Sequence, residues 1–155
     1  MIRSLHKFMK KMHLQVYKRE VNMKKIIIDE KEFEIDCNAL THVKYKSFFK
    51  TGILKDMDLI QNYIIKQTII SNQLNDENIT SEEKINKISE KMLDDSDGIT
   101  TDEFIIKITQ IAWILIYTAN KKIENYESWL ESIKHFSIED DWIVEVAEFA
   151  VNCFR

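Results

Sequence analysis

Two hydrophobic periods divide this chain. From Lys24 to Asp36 short β-branched blocks and charged residues alternate, and from Asn38 onward apolar residues recur every three or four positions. A period of two marks strands and a period near 3.6 marks helices. Lys24 to Asp29 is a strand, Glu30-Lys31 a turn, and Glu32 to Asp36, with Phe33 and Ile35 between charges, a second strand. The pattern therefore predicts a β-hairpin over 24–37. A lone hairpin is marginal in water, so its apolar side must lean on helices or on another sheet. An open edge would also invite self-association.

The helical part starts where Asn38 or Thr41 can cap a helix running to about Lys50, after which Gly52 supplies a left-handed C-terminal position. A second helix follows from Ile53 for about 20 residues and fades between Ser71 and Asn75. Ile53, Met57, Ile60 and Ile64 share one face, with Ile65 and Ile69 beside them as core. Thr80 and Glu83 form a capping box for a short polar helix ending near Leu93. Residues 74–103 are acidic and poor in large apolar groups, which predicts a mobile excursion. Thr100 and Glu103 cap the most apolar helix, where Phe104, Ile108, Ile111 and Leu115 are flanked by Trp113, Ile114 and Tyr117 nearly all round. That helix should be central. Tyr126, Trp129, Leu130 and Ile133 mark another short helix. Ser137 can cap the last, whose Trp142, Val146, Phe149 and Cys153 stripe backs an acidic ridge of Asp141, Glu145 and Glu148, leaving Phe154 unsheltered. The fold expected is mainly α: a short N-terminal hairpin followed by a bundle of five to six helices in one domain, 23–155.

Composition sharpens this picture. The absence of proline and the presence of only two glycines in 155 residues favour uninterrupted helices over a turn-rich β architecture. The densest apolar run, Ile111 to Tyr117, is far shorter than the roughly 18 residues a membrane span needs, so no membrane association is expected. No secretory signal follows the basic N-terminus, so the cytoplasm is the expected compartment. Cys37 and Cys153, far apart and without CxxC spacing, then read as two free thiols.

The net charge of −4 hides an asymmetry. Residues 1–22 carry six Lys/Arg against one acid and are +5, leaving −9 for the rest. In the same segment Ile2, Leu5, Met9, Met12 and Val16 fall at helical spacing, giving a basic amphipathic stretch. It reads as an extension outside the core fold, disordered or helical, because the natural start of the domain is Met23. The alternative is a surface for RNA, lipid or an acidic partner.

Little here suggests catalysis, and no cofactor or metal site is expected. Asp94 to Ile99 looks like a calcium loop, but with Gly98 at its sixth position Leu93 and Phe104 occupy the two principal carboxylate places. His135 with Glu139, Asp140 and Asp141 reads as carboxylates complementing a helix N-terminus. No histidine pairs with a nucleophile motif, and glycines at 52 and 98 alone make no phosphate loop. A DNA-reading helix-turn-helix about Gly52 would present Asp56 and Asp58 to phosphates, so nucleic acid is not an expected partner of the core.

The order of parts resembles the tail assembly chaperones of long-tailed phages and prophages of Gram-positive bacteria. The resemblance rests on Met23-Lys-Lys-Ile-Ile-Ile-Asp29 with Glu32 to Ile35, then Ala39-Leu40-Thr41 leading into Tyr45-Lys46-Ser47-Phe48-Phe49, then Ile53-Leu54-Lys55-Asp56. An acidic spacer, an apolar helix with Trp113 and Tyr117, and Tyr126-Glu127-Ser128-Trp129-Leu130 complete it. The family pattern is Thr, Tyr-Arg, an aromatic three residues past the Arg, then Gly-x-Asp and an apolar pair. This chain keeps Thr41, Tyr45 and Phe49 but has Lys46 for Arg, Lys50 for Gly and Gly52 for Asp. The resemblance implies a non-catalytic protein that coats the tape measure protein before tail tube subunits polymerise around it, and that is absent from the finished virion. The partners it implies are the tape measure protein and, secondarily, the tail tube protein. Homo-oligomerisation through the hairpin edge is a separate expectation. Tyr45, Lys46, Phe48, Phe49, Ile53, Leu54, Trp142, Phe149 and Phe154 are the candidate partner-binding residues. The competing reading is a small regulatory or nucleic-acid-binding protein of a mobile element that uses the basic arm.

Overall fold

The hairpin and the helices after it assemble around one helix. A computed structural model of the chain describes residues 6–7, 23–75, 80–93 and 98–154. Strands β1 (Lys24–Ile28) and β2 (Lys31–Ile35) pair antiparallel, Ile26 opposite Phe33. Among the described residues, six helices follow: α1 (Ala39–Phe49), α2 (Ile53–Asn75), α3 (Ser81–Leu93), α4 (Thr101–Ala119), α5 (Tyr126–Ser132) and α6 (Asp141–Phe154). The expected mainly helical architecture is the observed one.

The hairpin turn lies one residue earlier than expected. Asp29 and Glu30, not Glu30 and Lys31, join the strands, and both are left-handed at φ 49° and 64°. A two-residue connection whose central residues are both left-handed matches the right-handed twist of paired strands. The register puts Ile26, Ile28 and Ile35 on one buried face, leaving Ile27 outside. The Asp29 carboxylate accepts the Lys134 N–H at 2.8 Å, which pins the turn to the segment after α5 and holds the acid below the usual carboxylate range.

Asn38 caps α1, taking the Leu40 N–H, while Thr41 Oγ1 accepts the Asn38 N–H to close a capping box. At the other end the left-handed residue is Lys50 at φ 62°, and neither glycine has a positive φ. The lysine tolerates this because its ammonium reaches back to the Ser47 carbonyl at 2.9 Å, and its N–H meets the Lys46 carbonyl. Gly52 therefore does not play the role expected of it.

Both predicted Thr/Glu capping boxes form, at Thr80/Glu83 and Thr100/Glu103. The second opens α4, whose Phe104, Ile108 and the run Ile111 to Ile116 are all buried. This helix touches β2, α1, α2, α5 and α6 and is the centre of the fold. Helix α6 begins at Asp141. Ser137 instead forms the preceding turn, donating its N–H to Asp140 and accepting that of Glu139. The core is continuous from Ile26 to Ala150.

Two expectations about the last helix are corrected. Cys37 and Cys153 are not free thiols but form a disulfide, with Cα atoms 6.3 Å apart across 116 residues of sequence. Distance along the chain hid this pair: α6 packs back on β1, which returns its end to the junction of β2 and α1. The same return gives Phe154 a partner in His42, the rings 4.3 Å apart and edge to face.

Candidate functional site

The N-terminal half of α2 is held by a buried acid. Asp56 is fully buried in the helix's first turn, on the same stripe as Ile53, Met57 and Ile60. Its carboxylate accepts the Tyr45 hydroxyl at 2.8 Å, the Lys107 ammonium at 2.9 Å and the Thr51 hydroxyl at 3.3 Å. A buried carboxylate is tolerable only when paired and fully hydrogen-bonded, and this one joins α1, α2 and α4. Burial, reinforced by the bond to Asp56, pushes the Tyr45 phenol well above its usual range and keeps it a donor. With its oxygens engaged this way, Asp56 is a structural staple. Its signal in the sequence is an acid sitting on an apolar stripe.

The candidate partner-binding residues separate into three groups. Tyr45, Ile53 and Trp142 are core. Phe49, Phe149 and Phe154 are half-buried against that core. Lys46, Phe48 and Leu54 face outward, Phe48 at 47% exposure and Leu54 at 50%. Phe48 is the outer member of an aromatic cluster in which it meets Trp113 and Tyr117 edge-on, at 5.1 and 5.6 Å. Phe49 continues inward onto Trp113 and Tyr126. The cluster is anchored by the Trp113 indole N–H on the Glu124 carbonyl and by a 2.8 Å bond between the Tyr126 and Thr109 hydroxyls. Most of the Tyr45 to Phe49 motif thus packs α1 onto α4, and one ring is presented to solvent.

A larger apolar surface lies elsewhere, where sequence patterning placed core. Between α2 and α6 runs a groove of about 470 Å³ lined by Gln61, Ile64, Ile65, Val144, Ala147, Glu148, Val151 and Asn152. Ile65 is 56% and Val144 49% exposed, and Ile69, one turn along from Ile65, is 52% exposed. Ile65 and Ile69 are therefore not core, contrary to expectation. Helix α2 carries apolar residues around more of its circumference than its neighbours cover. Tyr63 and Ile70 take the buried positions instead, Tyr63 stacked on Phe104 at 4.2 Å. On α6, Val144, Ala147 and Val151 repeat at helical spacing on a second face, beside the stripe read from the sequence. Gln61, Ala147 and Val151 also border a separate small cavity over Met57, Ile60, Ile108 and Ile111.

One lining residue of this groove is charged, and further acids lie along α6. Glu148 lines it, Asp141 lies exposed at the start of the same helix, and Glu145 meets Lys24 of β1 at 3.2 Å. Among the described residues no three His, Cys, Asp or Glu side chains are arranged to hold a metal ion, and no helix is long and apolar enough to cross a membrane. The acidic run Asp94 to Asp97 and all of the N-terminal arm but His6 and Lys7, both helical and exposed, lie outside the described residues. Compared with known proteins, the chain matches no family model, no curated protein and no solved structure.

Proposed function

We propose that this chain binds a hydrophobic helical segment of another polypeptide in the α2/α6 groove, and that it does so as a tail assembly chaperone holding the tape measure protein until tail tube subunits close around it. The observation that carries the reading is the groove itself: Ile65, Ile69 and Val144 stand half in solvent beside a depression bounded by two helices. A helix laid into a groove by its apolar face is a recurrent mode of protein recognition, and contiguous exposed apolar surface marks such sites. Phe48 and Leu54 supply a second exposed apolar position on α1 and α2. The resemblance gains support at Lys50, where the family carries glycine and this chain is left-handed at φ 62°. Glycine adopts that conformation without strain.

Co-expression with the tape measure protein of a long-tailed phage of Gram-positive bacteria tests the reading. The pair should co-purify, and Ile65→Glu with Val144→Glu should abolish co-purification while leaving the fold intact. A chain that ignores the tape measure protein but binds RNA or heparin, and loses that binding when residues 1–22 are removed, would instead be a regulatory protein working through its +5 arm.

A further inference from the structure

The groove and the N-terminal arm have complementary chemistry. Residues 1–22 place Leu5, Met9 and Met12 on one helical stripe and carry a charge of +5. The groove presents Ile65 and Val144 beside the carboxylate of Glu148. We propose that the occupant of the α2/α6 groove in the isolated protein is the chain's own N-terminal segment, lying as an amphipathic helix with its apolar stripe inward.

Three observations converge on this occupant. The first is charge: a segment of +5 belongs to a chain whose remainder is −9, and the charged residue that lines the groove is Glu148. Opposite net charges steer such a segment to this face over others. The second is the point of entry. Lys24, the first residue of β1, pairs with Glu145 of α6, which neighbours Val144 and is three residues from Glu148, both lining the groove. The arm thus leaves the domain beside the groove, and the eight residues from Val16 to Lys24 can span roughly 26 Å when extended. The third is size. The α6 wall, 144–152, is about 12 Å long at 1.5 Å per residue, the length over which one helix presents three stripe residues, and the shorter α2 wall, 61–65, faces it. Methionines suit such a site because their flexible, polarisable side chains fill irregular apolar surface. His6 and Lys7, which lie off the stripe, are exposed.

The inference rests on the groove that the proposed function also uses. An arm seated there and a client would use the same lining residues. Its test contains no client, so failure of arm docking and failure of tape measure binding are read separately. In the full-length chain, p-benzoylphenylalanine replaces Met12 and is photoactivated at low micromolar protein. The expected product is an intrachain adduct mapped to residues 61–69 or 144–152, with a yield independent of protein concentration. V144E should lower that yield about tenfold by placing a charge under the stripe. E148K should lower it about threefold by reversing the charge at that lining position. Adducts between two chains, adducts elsewhere in the same chain, the absence of any adduct, or a yield unmoved by both substitutions would each overturn the proposal.

Discussion

The two halves of α2 have similar apolar content and are covered to different extents. Toward its N-terminus Ile53, Met57 and Ile60 are buried and Asp56 is tied to α1 and α4, whereas Ile65 and Ile69 further along are more than half exposed. Hydrophobicity in the sequence does not distinguish them. Neighbours do: α1 and α4 cover the first half, while the elements packed on the rest of α2, which include α3 and α6, leave Ile65 and Ile69 uncovered. Apolar residues become core only where another element reaches them. Where none does, the same residues become a surface that another chain can use.

The comparison can be broken in graded steps. The largest effect is expected from unlinking α6, the helix that supplies the far groove wall. C37S with C153S removes a closure over 116 residues and should lower unfolding stability by about 5 kcal/mol on a chain-entropy estimate, measured by urea titration. Next comes the staple. Lys107→Met leaves the Asp56 carboxylate buried without its cation and should cost about 4 kcal/mol, whereas a cost below about 1 kcal/mol would show that the pair contributes little.

A matched pair addresses the two halves directly. Ile60→Ala should cost about 3 kcal/mol and Ile65→Ala less than about 0.5 kcal/mol in the same denaturation assay, and equal losses would mean that the groove is closed in solution. The smallest effect concerns pH. The Tyr45 phenol is raised in the folded state, so its contribution is fully present below about pH 10 and is lost as pH rises further. Y45F should cost about 1.5 kcal/mol at neutral pH and should flatten the alkaline fall in melting temperature.

Local chemistry made most elements legible. Asn38 with Thr41, Thr80 with Glu83 and Thr100 with Glu103 each state where a helix begins, and the run Ile111 to Ile116 identifies the central helix without reference to anything distant. The errors have a different origin. The Asp29-Glu30 turn and the left-handed Lys50 occupy conformations that propensity assigns to glycine or asparagine, and in both places a side chain makes a local or long-range bond that composition does not reveal. The disulfide, the Asp56 to Lys107 pair and the exposure of Ile65 all depend on which elements meet. Periodicity gives a helix its faces but not the neighbour each face receives. For the same reason the aromatic motif Tyr45 to Phe49 drew attention as a binding surface, although only Phe48 of its rings is largely outside.

The bond between Cys37 and Cys153 also carries a consequence for the order of events during synthesis. Its second sulfur leaves the ribosome only after the hairpin and the five helices before α6 have been made. Covalent closure is therefore a late event. Until then the nascent chain must keep Cys37 in place by capping, the Asp56 staple and the packing around α4, with one wall of the groove still missing. The partner-binding face is thus the last part of the protein to come into existence, and an unfinished chain has no groove with which to seize a client prematurely.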